Sequence, residues 1–333
     1  MSQDQRIHRS RIMFAAASPG GSSAHTLDKL VRLTQVLDAD LELFHCLYDA
    51  DVERPGRYGA RSVAEDIRDI VFHRRRQLEV NAEQLAGRGI RVRASARWDY
   101  PPYEGIVRQV LRHEPSLLVA ESTSRGRLAR RFLSYNDFRL IETCPCPLLL
   151  VRTPRPYSEH PTLVAAVDPF HVHDKPAVLD DSIVEASWAL SRALSAKLLL
   201  LHVRKPWPAP TPGAAPEGAT GDEMWADYAA HTESAVRELA RRHGVGVEGA
   251  NVVEGEVAEV LPDWALTHSA DIVVLGAASR SRLKRILLGH TSERLLDSLD
   301  CDVLLVKPPG FQTSVSRRSP HRIAAELPGR YIL

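Results

Sequence analysis

The sequence predicts an α/β protein built as two tandem doubly wound domains, each with a five-stranded parallel sheet and helices on both faces. Three observations carry that prediction. The chain has 333 residues, and a single hydrophobic core seldom grows beyond about 250–300 residues. Two long segments repeat one another. Within each half, short apolar runs alternate with longer stretches of helical periodicity.

The repeat comes first because it fixes the architecture. Residues 119–151 and 274–306 align at a constant offset of 155 with 13 identities in 33 positions and no gap. The shared residues include Ser124/Ser279, Arg125/Arg280, Arg127/Arg282, Arg139/Arg294 and Cys146/Cys301. The openings of the halves agree as well: Arg11 to Pro19 corresponds to Pro161 to Pro169, and Leu41–His45 to Leu198–His202. This is a duplication.

Apolar runs of four to six residues flanked by helices imply parallel strands covered on both faces. In the second half they predict strands near 162–167, 197–203, 250–254, 271–275 and 303–307. The helix before the second strand carries Ile183, Ser187, Leu190 and Leu194 at helical spacing, with Trp188 beside that stripe. Gly244 and Gly246 read as the end of a helix bearing Ala235, Val236 and Leu239. The domains are expected at 8–152 and 158–310, with Thr153–Ser158 as linker. Residues 205–222 are rich in Pro, Gly and Ala and read as a loop, with 49–62 as a shorter counterpart. Residues 311–333 read as a C-terminal tail, flexible or laid over the surface.

Composition excludes several classes. The net charge of +1 gives no global attraction to nucleic acid or an anionic membrane, so neither is expected as a partner. No segment reaches the roughly 18–20 apolar residues of a membrane span and the N-terminus shows no apolar signal core, so the expected location is the cytoplasm. The four cysteines, Cys46, Cys144, Cys146 and Cys301, suit packing in a reducing compartment. Cys144-Pro-Cys146 has one residue between its sulfurs, not the two of common redox or zinc motifs, and it too reads as packing.

In an open parallel sheet, ligands bind beyond the carboxyl ends of the strands, where strand order reverses. Three loops of the second half reach that edge: Asp168-Pro169, Val203-Arg204 and Gly276 to Ser279, followed by Gly289-His290-Thr291-Ser292. Glycine admits close approach of backbone amides to an oxyanion, and Thr291 and Ser292 add hydroxyl donors at a helix start. Arg280, Arg282, Lys284 and Arg285 add positive charge between them. On local chemistry this is a phosphate site or a solvated basic loop with an ordinary helix cap.

The spacing Gly276-x-x-Ser279, nine residues, Gly289, then His290-Thr291-Ser292 resembles the Gly-x-x-Gly-x9-Gly-Ser/Thr signature of the universal stress protein A superfamily. The opening Leu-Val-Ala-Ala-Val-Asp168-Pro169, the Leu-Leu-Leu-His202-Val203 strand and the closing Cys301-Asp-Val-Leu-Leu-Val306 are similar too. The match runs through nearly the whole chain and, being tandem, resembles the two-domain subgroup. The resemblance implies sheets of the adenine-nucleotide α-hydrolase-like type in order 3-2-1-4-5, with the halves related by an approximate twofold and paired within one chain. It assigns the adenine end to Asp168 and Val203, and ribose and phosphates to Gly276, Ser279, Gly289, His290, Thr291 and Ser292, with Arg280 added to the candidate site for its charge. The implied ligand is ATP, in the second domain only. Ser279 and His290 depart from the signature. In the first half Ser18 stands for the Asp, Glu121 for the first Gly, and Ser134-Tyr135 for Gly-Ser/Thr, which implies a degenerate site.

Other candidates are weaker. His171, His173 and Asp174 form a polar loop or a zinc or pH-sensing group. His45 and His202, paired by the repeat, read as structural or as cleft lining, and Trp98, Tyr100 and Tyr103 as packing or a stacking surface. No metal cluster, acid–base pair, Walker lysine or His-x-Gly-His motif is visible, so no enzyme is expected. The functional expectation is a stress-response regulatory protein that holds a nucleotide or another small ligand. The alternatives are an interaction scaffold or apolar-ligand binder, and a weak nucleotide hydrolase using Asp168. Two fused domains are compatible with a larger homo-oligomer.

Overall fold

The computed structural model describes residues 9–18, 20, 22–53, 62–122, 134–170, 178–206, 221–277, 295–319, 326–327 and 329–332. Contacts divide the chain into two compact units, Met1–Tyr157 with Phe311–Leu333, and Ser158–Gly310.

The first unit runs β1 (Ser10–Ala15), α1 (Ala24–Val36), β2 (Ala39–Leu47), α2 (Val63–Ala86), β3 (Val92–Trp98), α3 (Pro102–His113), β4 (Leu117–Glu121), α4 (Tyr135–Thr143) and β5 (Leu148–Val151). These strands are parallel in the order β3-β2-β1-β4-β5. Successive residues of a strand point to opposite faces, and here both are buried: Ile12 with Met13, Leu43 with Phe44, Leu118 with Val119. Each such side chain contributes roughly 1.5–3 kcal/mol. Helix starts follow local chemistry. Ser62 and Glu65 form a reciprocal capping box on α2, and Ser134 with Asp137 does the same on α4. Lys29 of α1 is buried and donates to both the carbonyl and the hydroxyl of Thr153 at 2.9 Å, which holds the start of the interdomain segment to the first unit.

The second unit repeats the plan with β6 (Thr162–Ala166), α5 (Val178–Leu194), β7 (Lys197–Arg204), α6 (Gly221–Arg242), β8 (Ala250–Glu254), α7 (Val257–Thr267), β9 (Ile272–Gly276) and β10 (Asp302–Val306). Its parallel order is β8-β7-β6-β9-β10. The doubly wound 3-2-1-4-5 topology is therefore present twice. Ile183, Ser187, Leu190 and Leu194 of α5 are all buried, and Gly244 ends α6 at φ +70 with Val245 N–H bonded to Ala240 O. Gly246 has another job: at φ −60 it opens a short 3-10 turn over Val247–Gly249. The loop expected at 205–222 lies mostly outside the described residues.

Of the two courses expected for the C-terminal segment, the described part is laid over the first unit. It returns to the first unit, where β11 (Glu326–Leu327) pairs antiparallel with β3, and Val92 and Ile332 exchange backbone hydrogen bonds of 3.0 and 2.7 Å. The first unit's sheet thus gains a sixth, antiparallel strand on the β3 edge. An uncovered edge strand would offer unpaired backbone groups to other chains. Ser319 Oγ donates to Asp99 Oδ1 at 2.7 Å, and Arg108 Nε donates to Ser316 O at 3.1 Å. Gly329 passes so close to β3 that a Cβ there would lie 1.9 Å from the Ala94 carbonyl oxygen. The obstacle is main chain, so it cannot rotate away. Gly329→Ala should displace the segment and cost about 1–3 kcal/mol. Hydrogen exchange at the Val92 amide should accelerate, while exchange in the second unit stays unchanged.

One buried charge is fully engaged. Glu42 of β2 accepts from Ser95 Oγ at 2.7 Å and Gln109 Nε2 at 2.8 Å, and pairs with Arg93. Burial pushes its carboxyl up, but the Arg93 charge and the hydrogen bonds outweigh that and hold it below its ordinary value of 4.5. A depressed carboxyl contributes stability above the unfolded value, and the contribution is lost as pH falls through the folded one. Glu42→Gln should therefore destabilise the protein at pH 7 by about 3–5 kcal/mol, the cost of stranding a buried partner. In urea titrations the gap to the native chain should narrow below pH 4.5. A constant gap would contradict the assignment.

Candidate functional site

In the second unit β6 lies between β7 and β9, so chain connections leave its carboxyl end in opposite directions. That is the crevice position of a doubly wound sheet. Asp168 sits there, two residues past β6. Val167 N–H bonds to Leu201 O at 2.9 Å, and Asp168 N–H bonds to Asp180 Oδ1 of α5 at 3.1 Å. These fix the backbone. The Asp168 Oδ1 atom is buried and has no hydrogen-bond partner among the described residues. His202 Nδ1 approaches it to 4.0 Å but is committed to Val167 O at 3.0 Å. A carbonyl only accepts, so Nδ1 carries the proton and points it away from Asp168.

The end of β7 adds a second unsatisfied group. Val203 is half-buried, and Arg204 beside it lays its guanidinium over the Trp225 ring at 4.4 Å and places Nη2 3.5 Å from Glu254 Oε2. Arg204 Nε is buried without a hydrogen-bond partner among the described residues. Phe170 sits 5.7 Å from the His202 ring and 5.5 Å from His231 of α6, measured between centroids. Nothing in sequence spacing marks Phe170, Trp225 or His231, because only the folding of α6 brings the latter two to this edge.

Gly276 closes β9, as expected, but its surroundings assign it a packing duty. A Cβ would lie 2.8 Å from Leu179 Cδ2 and 2.9 Å from Ile183 Cδ1 of α5. Ser279, Arg280, Gly289, His290, Thr291 and Ser292 lie outside the described residues, as do His171, His173 and Asp174. The structure thus brings together Asp168, Val203 and Gly276 from the predicted set.

The corresponding edge of the first unit is built differently. Ala15 pairs with Phe44 as Ala166 pairs with Leu201. The counterpart of Asp168 is therefore Ala17, one residue from the Ser18 that sequence alignment suggests. Glu121, the counterpart of Gly276, accepts from Thr26 Oγ1 at 2.9 Å. His45 repeats His202, with Nδ1 2.8 Å from Ala16 O, and burial lowers its pKa. Trp98 is fully buried, with Nε1 donating to Glu53 Oε1 at 3.0 Å, so it belongs to the core rather than to a stacking surface.

The model of the Universal stress protein family matches residues 8–152 and 167–307. The chain belongs to the universal stress protein family. It carries the family's domain twice. Universal stress protein E of Escherichia coli (strain K12) is 24% identical over 310 residues, covering 91% of this chain and 96% of the relative. The Universal stress protein E homolog of Haemophilus influenzae is 22% identical over 299 residues, covering 87% and 95%. Among solved structures, a functionally unknown protein from Pseudomonas aeruginosa PAO1 superposes with TM-score 0.67 at 20% identity, over 90% of this chain and 93% of that one. A universal stress protein from Archaeoglobus fulgidus gives 0.60 at 12% identity, over 90% and 99%. These likenesses establish the tandem fold.

Among the described residues, no three His, Cys, Asp or Glu side chains are arranged to hold a metal ion, and no helix is long and apolar enough to cross a membrane. The packing role of Gly276 gives a direct expectation. Gly276→Ala should cost about 1 kcal/mol or somewhat more, because the atoms it meets are ends of movable side chains. Chemical denaturation should show the loss, and the double variant Gly276→Ala/Ile183→Val should recover part of it. Equal loss in both would contradict the contact.

Proposed function

We propose that this universal stress protein acts as a regulatory binding protein that holds an adenine nucleotide at the carboxyl edge of its second unit. The observation that carries the reading is the buried Asp168 Oδ1, which has no hydrogen-bond partner among the described residues, at the point where strand order reverses. An acceptor left without a donor costs about 1–3 kcal/mol, and a ligand that brings an N–H or O–H recovers it. An adenine amino group is such a donor. The buried Arg204 Nε, also without a partner among the described residues, supplies a donor at the end of β7, and Val203 beside it offers an apolar wall. The phosphate end is assigned to the segment Ser279–Ser292 by resemblance alone. The first unit is assigned no nucleotide: Ala17 offers no carboxylate, and Glu121 puts negative charge at the edge.

This reading requires binding and no chemical step. Asp168→Ala is the test, by thermal shift and calorimetric titration with ATP on the full chain. The ligand-free variant should melt a few degrees higher, since an unsatisfied acceptor is gone. Its affinity for ATP should fall at least tenfold, the equivalent of about 1.4 kcal/mol. Equal affinity in both proteins would reject the role of Asp168. No binding by either at millimolar ATP would reject the nucleotide and favour a different small ligand or a scaffold. ATP turnover that disappears in the variant would favour the weak hydrolase.

A further inference from the structure

The turn between α4 and β5 in the first unit holds two thiols side by side. Cys144 Sγ lies 3.6 Å from Cys146 Sγ. Both ends of the turn are fixed by backbone. Cys144 N–H caps α4 through Leu140 O at 2.9 Å, and on the other side Leu118 N–H bonds to Pro147 O at 2.9 Å as β5 joins β4. Pro145 between the sulfurs restricts the intervening backbone further. The Cys144 thiol donates to Cys146 O at 3.4 Å and is buried, whereas Cys146 is only half-buried. The second unit shows what packing alone requires: at the offset of 155, Cys144 corresponds to Leu299 and Cys146 to Cys301, both buried. A leucine satisfies the core at the first position. The fold does not need the pair.

We propose that Cys144 and Cys146 form a dithiol oxidation site, at which hydrogen peroxide or another hydroperoxide closes an intramolecular Cys144–Cys146 disulfide. The more accessible Cys146 reacts first. Its sulfur loses its proton and attacks a peroxide oxygen. The S–O bond forms, the O–O bond breaks, and the departing hydroxide takes up that proton as water. The Cys144 sulfur then attacks the sulfenic sulfur of Cys146. The S–S bond forms, the S–O bond breaks, and a second water leaves with the Cys144 proton. Two thiols lose two electrons and one hydrogen peroxide becomes two waters. The sulfurs must close from 3.6 Å to about 2.05 Å, a movement within reach of rotation of the half-exposed Cys146 side chain. The Cys144 sulfur and burial hold the Cys146 thiol well above its ordinary value. The thiolate is therefore scarce at neutral pH, and the site responds to sustained oxidant rather than to brief exposure.

The test uses the folded full-length chain, treated with hydrogen peroxide at neutral pH, blocked with iodoacetamide and digested without reduction. The peptide carrying Cys144 and Cys146 should lose two hydrogens and both alkylation sites, and dithiothreitol should restore both. The fully buried Cys46 and Cys301 should remain thiols. Cys144→Leu copies Leu299 of the second unit and so keeps the fold. In that variant the disulfide should be absent, and Cys146 sulfenic acid should accumulate and be trapped by dimedone. Full alkylation of both cysteines after peroxide, or a sulfinic Cys146 beside an intact Cys144 thiol in the native chain, would overturn the proposal.

Discussion

In both units the central strands bury consecutive side chains on opposite faces, Ile12 with Met13 and Val164 with Ala165, so neither face of either sheet is left for a polar ligand. Polar function is confined to the places where strands end. The constraint follows from parallel pairing itself. Each crossover must carry a helix back over the sheet, and the helices cover what the strands expose. Glu42 does enter the sheet, and it is met by donors from Arg93, Ser95 and Gln109. Asp168 Oδ1 has no such set among the described residues. The two carboxylates thus differ in how fully the described residues satisfy them.

The first unit solves a problem that its sheet creates. The edge strand β3 ends in a buried Asp99–Arg108 pair, with Arg108 Nη1 2.8 Å from Asp99 Oδ1. The returning C-terminal segment adds the Ser319 hydroxyl to Asp99 Oδ1 and the Ser316 carbonyl to Arg108. The backbone pairing of β11 and the passage of Gly329 over Ala94 then cover the edge. Charge satisfaction and edge protection are supplied by the same short segment.

Much of this was legible in the sequence, for identifiable reasons. Strand positions in the second half match to within a residue or two because runs such as Leu198–Leu201 admit little else. The α5 stripe of Ile183, Ser187, Leu190 and Leu194 was legible because helical spacing is local. The β11 strand was not. It is two residues long, and its partner is more than two hundred residues away, so no periodicity announces it. The Ala15–Ala17 run hid the true counterpart of Asp168, since three alanines align equally well in two registers and only strand pairing separates them. The thiol pair was visible as a motif, but its significance lay in a distance between sulfurs that sequence does not contain.

The divergence at the fourth strand of each sheet shows how packing and binding share one position. Left-handed Asp38 and Ser195 close the first helix of each unit, and counting back from them makes Thr26 of α1 the equivalent of Ile183 of α5. Thr26 is the residue that donates to Glu121, and Ile183 is one of the two that crowd Gly276. Each pair is internally consistent: hydroxyl with carboxylate in the first unit, methyl with absent side chain in the second. A glutamate at 276 would meet Ile183 with nothing to donate, and a glycine at 121 would leave the Thr26 hydroxyl short of this acceptor. Strand and helix residues are therefore matched as pairs in each unit. The glycine of the second unit owes its place to the helix behind it as much as to any anion in front. That same apolar contact with Leu179 and Ile183 leaves no room for a larger side chain at position 276, at the end of β9.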